Sequence, residues 1–255
     1  MFPRTRPVLF VIAHGSRDPR HAATVRALVR RVREQRPQLR VETGFLDFNS
    51  PSVPEVLESL DAEGVRDVIA LPLLLTRAFH AKSDIPAVLS QAPPRLRIRQ
   101  AAVLGPSPLL LTALDQRLYE AGLSPADKSS TGVVLASAGS SDPEAIAVIA
   151  EIAREWRHTG WCAVRPAFAS ASLPRTQDAV RELRALGVRT VAVAPYVIAP
   201  GFLPDRIARG AADADVLAQV LGPSPEVARL LVRRYDEARA GFRVVGRVAR
   251  VPVLA

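Results

Sequence analysis

The 255-residue sequence predicts an α/β protein of two tandem domains, each a four-stranded parallel sheet with helices on both faces. Three observations predict it. Short apolar strands alternate with amphipathic helices along the whole chain, the pattern of a parallel sheet. A set of landmarks occurs twice in the same order, the signature of a duplication. No apolar run approaches the ~20 residues needed to span a bilayer, so the apolar segments belong to a folded interior.

The duplication is visible by eye. Val103-Leu-Gly-Pro-Ser-Pro108 recurs unchanged as Val220-Leu-Gly-Pro-Ser-Pro225. Upstream, Ala13-His-Gly-Ser-Arg-Asp-Pro19 aligns with Ser137-Ala-Gly-Ser-Ser-Asp-Pro143, Gly64-Val-Arg66 with Gly187-Val-Arg189, Leu71-Pro72 with Ala194-Pro195, and Phe79 with Phe202. A six-residue identity inside a collinear frame is poorly explained by chance.

In the first copy, Val8 to Ala13 is an unbroken apolar run, as in a strand covered on both faces. Asp18-Pro19 then opens a helix, with Asp as N-cap and Pro in the first turn. Ala22, Val25, Leu28, Val29 and Val32 recur at helical spacing, with arginines on the other faces. Leu39 to Leu46 reads as a second strand. Ser52 to Ala62 reads as a helix stopped by Gly64. Val68 to Leu75 is a third strand, Ile85 to Ser90 a short helix, Leu96 to Val103 a fourth strand, and Ser107 to Ala121 a closing helix. The second copy repeats this from Val133 to about Ala240. Right-handed crossovers then make each copy a small flavodoxin-like sheet. The organisation reads as a domain over 1–122, a linker over 123–132 rich in Ser, Pro, Ala and Asp, a second domain over 133–241, and a tail over 242–255 that alternates basic and apolar residues. An added edge strand and a disordered end both suit that tail.

Composition excludes several function classes. Cys162 is the single cysteine, which rules out an intrachain disulfide, a cysteine-based zinc site and a cysteine-held iron–sulfur cluster. The start Met-Phe-Pro-Arg-Thr-Arg-Pro lacks the separate apolar core of a signal peptide, so a cytoplasmic location is expected. The net charge of +9 is almost all arginine. It suits solvated helix faces, an anionic small-molecule substrate or nucleic acid. Aromatics make up only 5% and no patch interleaves Arg with Phe or Tyr, so nucleic acid ranks last, and no membrane partner is expected. Neither a P-loop, a Gly-x-Gly-x-x-Gly fingerprint nor a Gly-x-Ser-x-Gly elbow is present, which removes the common nucleotide and serine-hydrolase signals, including one built on Ser16.

Ligands of open parallel sheets bind beyond the carboxyl ends of the strands. His14 follows the first strand, Asp47 the second, and His80 lies in the loop after the third. Two imidazoles and a carboxylate suit a first-row divalent metal such as Fe, Co, Ni or Zn. Each residue alone is more readily a loop hydrogen-bonder or turn cap; the combination is more specific. His21, in the first helix, and His158, in an Arg-Trp-Arg-His-Thr-Gly segment, read as surface residues. The second copy is an internal control: His14 aligns with Ala138, Asp47 with Ser170 and His80 with Leu203. Backbone landmarks survive in both copies and the three reactive side chains do not. The first half is therefore expected to handle metal, and the second to act as scaffold or lid.

At these residues the sequence resembles the class II chelatases, specifically the sirohydrochlorin chelatase family in its long two-domain form. The matching segments are Ala13-His-Gly-Ser-Arg-Asp18, Gly44-Phe-Leu-Asp-Phe48, and Leu71-Pro-Leu-Leu-Leu75 leading to His80-Ala-Lys-Ser-Asp-Ile-Pro86. The resemblance covers nearly the whole chain and implies two chelatase-like domains. It implies insertion of Fe²⁺ or Co²⁺ into sirohydrochlorin, a lyase reaction on the way to siroheme or cobalamin, with metal as substrate and no organic cofactor. His14 and His80 are then the groups that bind the metal and take pyrrole protons. Asp47 stands where the family usually has Glu, one methylene shorter, so a water bridge is the expected way to restore reach. Ser16, Arg17 and Lys82, with Arg77 near them, are candidates for holding the substrate's carboxylate arms. The His-rich stretch and the C-terminal cysteine motif of some long forms are absent here. Two fused halves allow a monomer or a homodimer. The competing readings are a non-catalytic metal or tetrapyrrole carrier and a phosphate-handling enzyme of the histidine-phosphatase type, which would normally place Arg where Ala13 stands.

Overall fold

A computed structural model describes residues 6–77 and 83–245. Two four-stranded sheets are present, in the orders β2-β1-β3-β4 and β6-β5-β7-β8, with every pairing parallel. The first half runs β1 (Val8–Ala13), α1 (Pro19–Gln35), β2 (Val41–Phe45), α2 (Val53–Ala62), β3 (Asp67–Pro72), α3 (Ile85–Ser90), β4 (Arg97–Gln100) and α4 (Pro108–Glu120). The second runs β5 (Thr131–Ser137), α5 (Pro143–Arg157), β6 (Ala163–Phe168), α6 (Thr176–Ala185), β7 (Thr190–Tyr196), α7 (Phe202–Gly210), β8 (Val216–Leu217) and α8 (Pro225–Val245). The expected tandem of parallel sheets is what the chain adopts.

Local chemistry sets these boundaries. The Asp18 carboxylate accepts the Arg20 amide at 2.9 Å, and Pro19 supplies a first-turn residue with no amide to leave unpaired. Asp142 and Pro143 do the same for α5, where Asp142 accepts the Glu144 amide at 3.0 Å. Ser52 and Glu55 form a reciprocal capping box on α2. Gly44 lets α2 lie close on β2, because a Cβ there would stand 2.8 Å from the Phe10 ring and 3.2 Å from the Val53 Cα.

The central strands are buried on both faces, and alternate side chains serve different cores. Val8, Phe10 and Ile12 pack outward under α2 and α3 with Val56, Leu57 and Ile85. Leu9, Val11 and Ala13 face the other way, into a core that also contains Val133, Leu135, Trp156 and Leu231 of the second half. The largest core is thus common to both halves and lies between the two sheets.

The closing helices are exchanged across that core. α8 packs on α1, β3 and β4 of the first half, and α4 packs on β7 of the second and against α8 itself. The repeated Val-Leu-Gly-Pro-Ser-Pro turns are held reciprocally. Arg234 of α8 donates to the Val103 and Leu104 carbonyls, both at 2.9 Å, while Arg117 of α4 donates to the Leu221 carbonyl at 2.8 Å. Each arginine stands fourteen residues after the valine of its own turn (103 to 117, 220 to 234), so the contact is isologous, the same patch used twice around a pseudo-twofold axis. Tyr235 Oη donating to the Pro7 carbonyl at 2.8 Å and the Arg36–Asp236 pair at 2.5 Å add to the seam.

The stretch 123–132, expected as a linker, contains a 3-10 helix over Pro125–Ser130 and the first residues of β5. It is bound down by Lys128, whose ammonium meets Asp115 at 2.5 Å, while the same carboxylate accepts the indole N–H groups of Trp156 and Trp161 at 2.7 and 3.0 Å. α8 extends to Val245, into the stretch 242–255 read as a tail; residues 246–255 lie outside the described chain. Among the described residues no helix is long and apolar enough to cross a membrane.

Candidate functional site

The carboxyl ends of β1, β5, β3 and β7 converge on a cleft of about 640 Å³ between the halves. His14, Ser16, Arg17, His21 and Phe48 line it from the first half. The second half contributes a wall that is mostly hydrocarbon, with Ile146, Ile149, Phe168, Ile198, Phe202 and Leu203. This is the concave, largely apolar surface with few convergent polar groups that organic ligands use.

His14 and Asp47, the loop residues after β1 and β2, are brought together. The backbone does this first: the Asp47 amide donates to the His14 carbonyl at 2.9 Å. Gly15 makes the approach possible. It takes φ +95°, and a Cβ there would lie 1.8 Å from the Asp47 carbonyl oxygen, so only glycine fits. The result is 3.8 Å between His14 Nδ1 and Asp47 Oδ2, with side chains 41% and 59% exposed to the cleft and solvent. That separation is too long for a direct hydrogen bond. The two side chains stand close together at the carboxyl edge of the first sheet.

Ser16 closes its own turn. Its Oγ accepts the Asp18 amide at 3.1 Å, and its amide donates to the Asn49 side chain at 2.8 Å. Arg17 lies over the exposed ring of Phe48, 5.1 Å from the centroid, a cation–π arrangement that holds the guanidinium at the rim. Arg77 is exposed. His80 and Lys82, expected to complete the site, lie outside the described residues. Among the described residues no group of three His, Cys, Asp or Glu side chains gathers as a metal site.

The second half rebuilds the same loop without its reactive groups. Gly139 takes φ +92°, and a Cβ there would meet the Ser170 carbonyl oxygen at 1.9 Å. The Ser170 amide donates to the Ala138 carbonyl at 3.0 Å, and Ser140 Oγ accepts the Asp142 amide at 3.0 Å. Ala138 and Ser170 therefore occupy the places of His14 and Asp47.

His158 is exposed at the end of α5, as expected of a surface residue. His21 is a correction. It is half-buried and lines the cleft, in the first turn of α1. Burial, and then the neighbouring His14, lower its pKa below the ordinary imidazole value, favouring the neutral form. The signal for it was available: the first turn of a helix that follows a strand sits at the ligand-binding edge of the sheet. Across the cleft mouth Arg20 joins Asp18 at 2.6 Å and Asp205 of α7 at 2.8 Å, which ties α1 to the second half. Hydrogen bonds from Arg20 hold the Asp18 carboxyl below the usual range.

The chain matches the CbiX family model over residues 8–121 and again over 132–238. It is 29% identical over 252 residues to a sirohydrochlorin cobaltochelatase of Priestia megaterium, covering 92% of this chain and 81% of the relative. It is 26% identical to a sirohydrochlorin ferrochelatase of Bacillus subtilis, covering 92% and 93% respectively. Among solved structures, SirB from Bacillus subtilis with Fe³⁺ superposes with a TM-score of 0.79 at 25% identity, covering 94% of this chain and 98% of that one.

Proposed function

The chain belongs to the CbiX family, and from that membership and the make-up of its cleft we propose that it inserts a divalent metal, Fe²⁺ or Co²⁺, into sirohydrochlorin. The observation that carries the reading is an imidazole and a carboxylate converging at the carboxyl edge of the first sheet, opposite a hydrocarbon wall supplied by the second.

The chemistry follows from the parts. The metal is a substrate and must be held, stripped of water and released. A site with few protein ligands and open positions does this; a closed four-ligand site would retain the ion. His14 is the first ligand, His80 the second, and Asp47 completes the set directly or through water. Insertion also frees two pyrrole protons. As the metal passes to the macrocycle and leaves His14 and His80, each imidazole, with an ordinary pKa of ~6.5, takes one of these protons. Asp47, 3.8 Å from His14 Nδ1, stabilises the imidazolium that results.

The macrocycle is flat and apolar in its body and anionic at its edge. Its body suits the wall of Ile146, Ile149 and Phe168, and the exposed rings of Phe48 and Phe202 at the two sides of the cleft. Arg17 and the Ser16 turn, at the first-half rim, and Lys82 are the groups for its carboxylate arms. No organic cofactor is required by this chemistry. A cytoplasmic place and a monomeric or dimeric state suit such an enzyme.

The test is anaerobic incubation of the protein with sirohydrochlorin and Fe²⁺, Co²⁺ or Ni²⁺, followed by the absorbance change of the macrocycle. Multiple turnovers are expected with at least one metal. A single stoichiometric step with none thereafter would mean a carrier instead.

A further inference from the structure

A second cavity, of about 350 Å³, opens in the second half between the first turn of α6 and the last turns of α7. Arg175, Arg206 and Arg209 line it, with Thr176 and Gln177 beside them. None of the three has an ion pair among the described residues, and together they put three cationic side chains around one cavity. The acidic side chains nearby in sequence form their ion pairs with other arginines. Asp178 accepts the Arg175 amide at 3.1 Å and pairs with Arg181 at 2.5 Å, and Asp205 pairs with Arg20 at 2.8 Å. One terminal guanidinium nitrogen of Arg175 is buried without a hydrogen-bond partner. A buried cationic donor with nothing to donate to is costly, and three like charges around one cavity repel each other. Both penalties vanish when an oxyanion occupies the space.

We propose that this pocket binds an oxyanion of the carboxylate or phosphate type, held by Arg175, Arg206 and Arg209 in the forked geometry guanidinium groups use for such groups. Phe168 borders both this pocket and the large cleft. Arg206 also lies over Phe202, 5.9 Å from the ring centroid, at the cleft wall. The anion therefore has two sources: a carboxylate arm of a ligand in the cleft, or a separate small anion. The binding itself does not depend on the function proposed above; only the first source does.

The experiment is calorimetric titration of the full chain with inorganic phosphate and with citrate, at low and at high salt. Saturable binding that weakens with salt is expected, and about tenfold or greater weakening in Arg206→Gln/Arg209→Gln. Arg175→Gln should weaken it as well, with circular dichroism reporting that both variants fold. The KM for sirohydrochlorin then separates the sources. A KM raised several-fold at constant kcat in the double variant, with citrate competing against substrate, marks a substrate arm. An unchanged KM with phosphate or citrate still bound by the wild type marks an independent anion. The proposal is overturned if the wild type binds neither probe saturably and the KM is unmoved, or if folded variants bind the probes as tightly as the wild type.

Discussion

The two halves share a skeleton and divide the chemistry. Gly15 and Gly139 take φ values of +95° and +92°, and each admits the next loop's carbonyl where any side chain would collide. Ser16 and Ser140 close the same turn, and Asp18 and Asp142 cap the same helix. At the two equivalent positions of these loops, one half has His14 and Asp47 and the other Ala138 and Ser170. Geometry that folding requires has been kept twice; the groups proposed to react stand in one copy. The comparison separates what holds a loop from what the loop is for.

The sharpest way to break that comparison is to exchange the reactive residue. His14→Ala is expected to lower kcat for metal insertion by about 100-fold or more, while Ala138→His changes it less than about twofold. Equal losses would mean both loops act on the substrate. Next are the glycines, which should behave alike. Gly15→Ala and Gly139→Ala each force a Cβ against a carbonyl oxygen and should cost about 2–4 kcal/mol in urea denaturation, whichever half is changed. The reciprocal arginines test the seam. Arg117→Ala and Arg234→Ala each strip cross-half hydrogen bonds from carbonyls and should cost about 1–3 kcal/mol. Arg234 should cost more, since it serves two carbonyls at 2.9 Å where Arg117 serves one. Asp47→Ala should lower turnover about tenfold, with Asp47→Glu within a few-fold of wild type, whereas Ser170→Ala leaves turnover unchanged.

The smallest effect is a pH dependence. His21 has its folded pKa below its ordinary 6.5, so the unfolded chain binds more protons in that window. Its contribution to stability is complete above pH 6.5 and is lost as pH falls through the lower folded value. His21→Leu should flatten that part of a melting-temperature profile, and His158→Leu, on the surface, should not.

Strands, helices and caps were readable because their signals are local. β1 and α3 begin and end at the residues that periodicity and proline placement give, and the duplication matched the loops after β1 and β2 to those after β5 and β6. β4 is shorter than the Leu96 to Val103 that the sequence predicts: beyond the Ala101 amide, which donates to Ala70 of β3 at 2.8 Å, the chain leaves the sheet while Ala101 and Leu104 stay buried, so the apolar run outlasts the strand. The exchange of α4 and α8 was not legible. An apolar stripe says that a helix face is covered but not by which sheet, and the two sheets offer similar surfaces. The nearness of His14 and Asp47 was legible because one directly follows β1 and the other stands just beyond β2 at the same edge of the sheet. The place of His21 was legible only from its position in the first turn after β1, not from periodicity, which sets it beside the stripe of α1 and so on its solvent face.

The exchanged helices also decide how the cleft can move. Two lobes with separate interiors swing apart on a hinge at little cost. Here the hydrocarbon interior is continuous from one sheet to the other, so a wide swing would expose it to water. Motion is confined to the rim, where the solvent-exposed tie from Arg20 to Asp205 is the contact most easily broken. Salt, which screens exposed ion pairs, loosens that tie while leaving the shared interior intact.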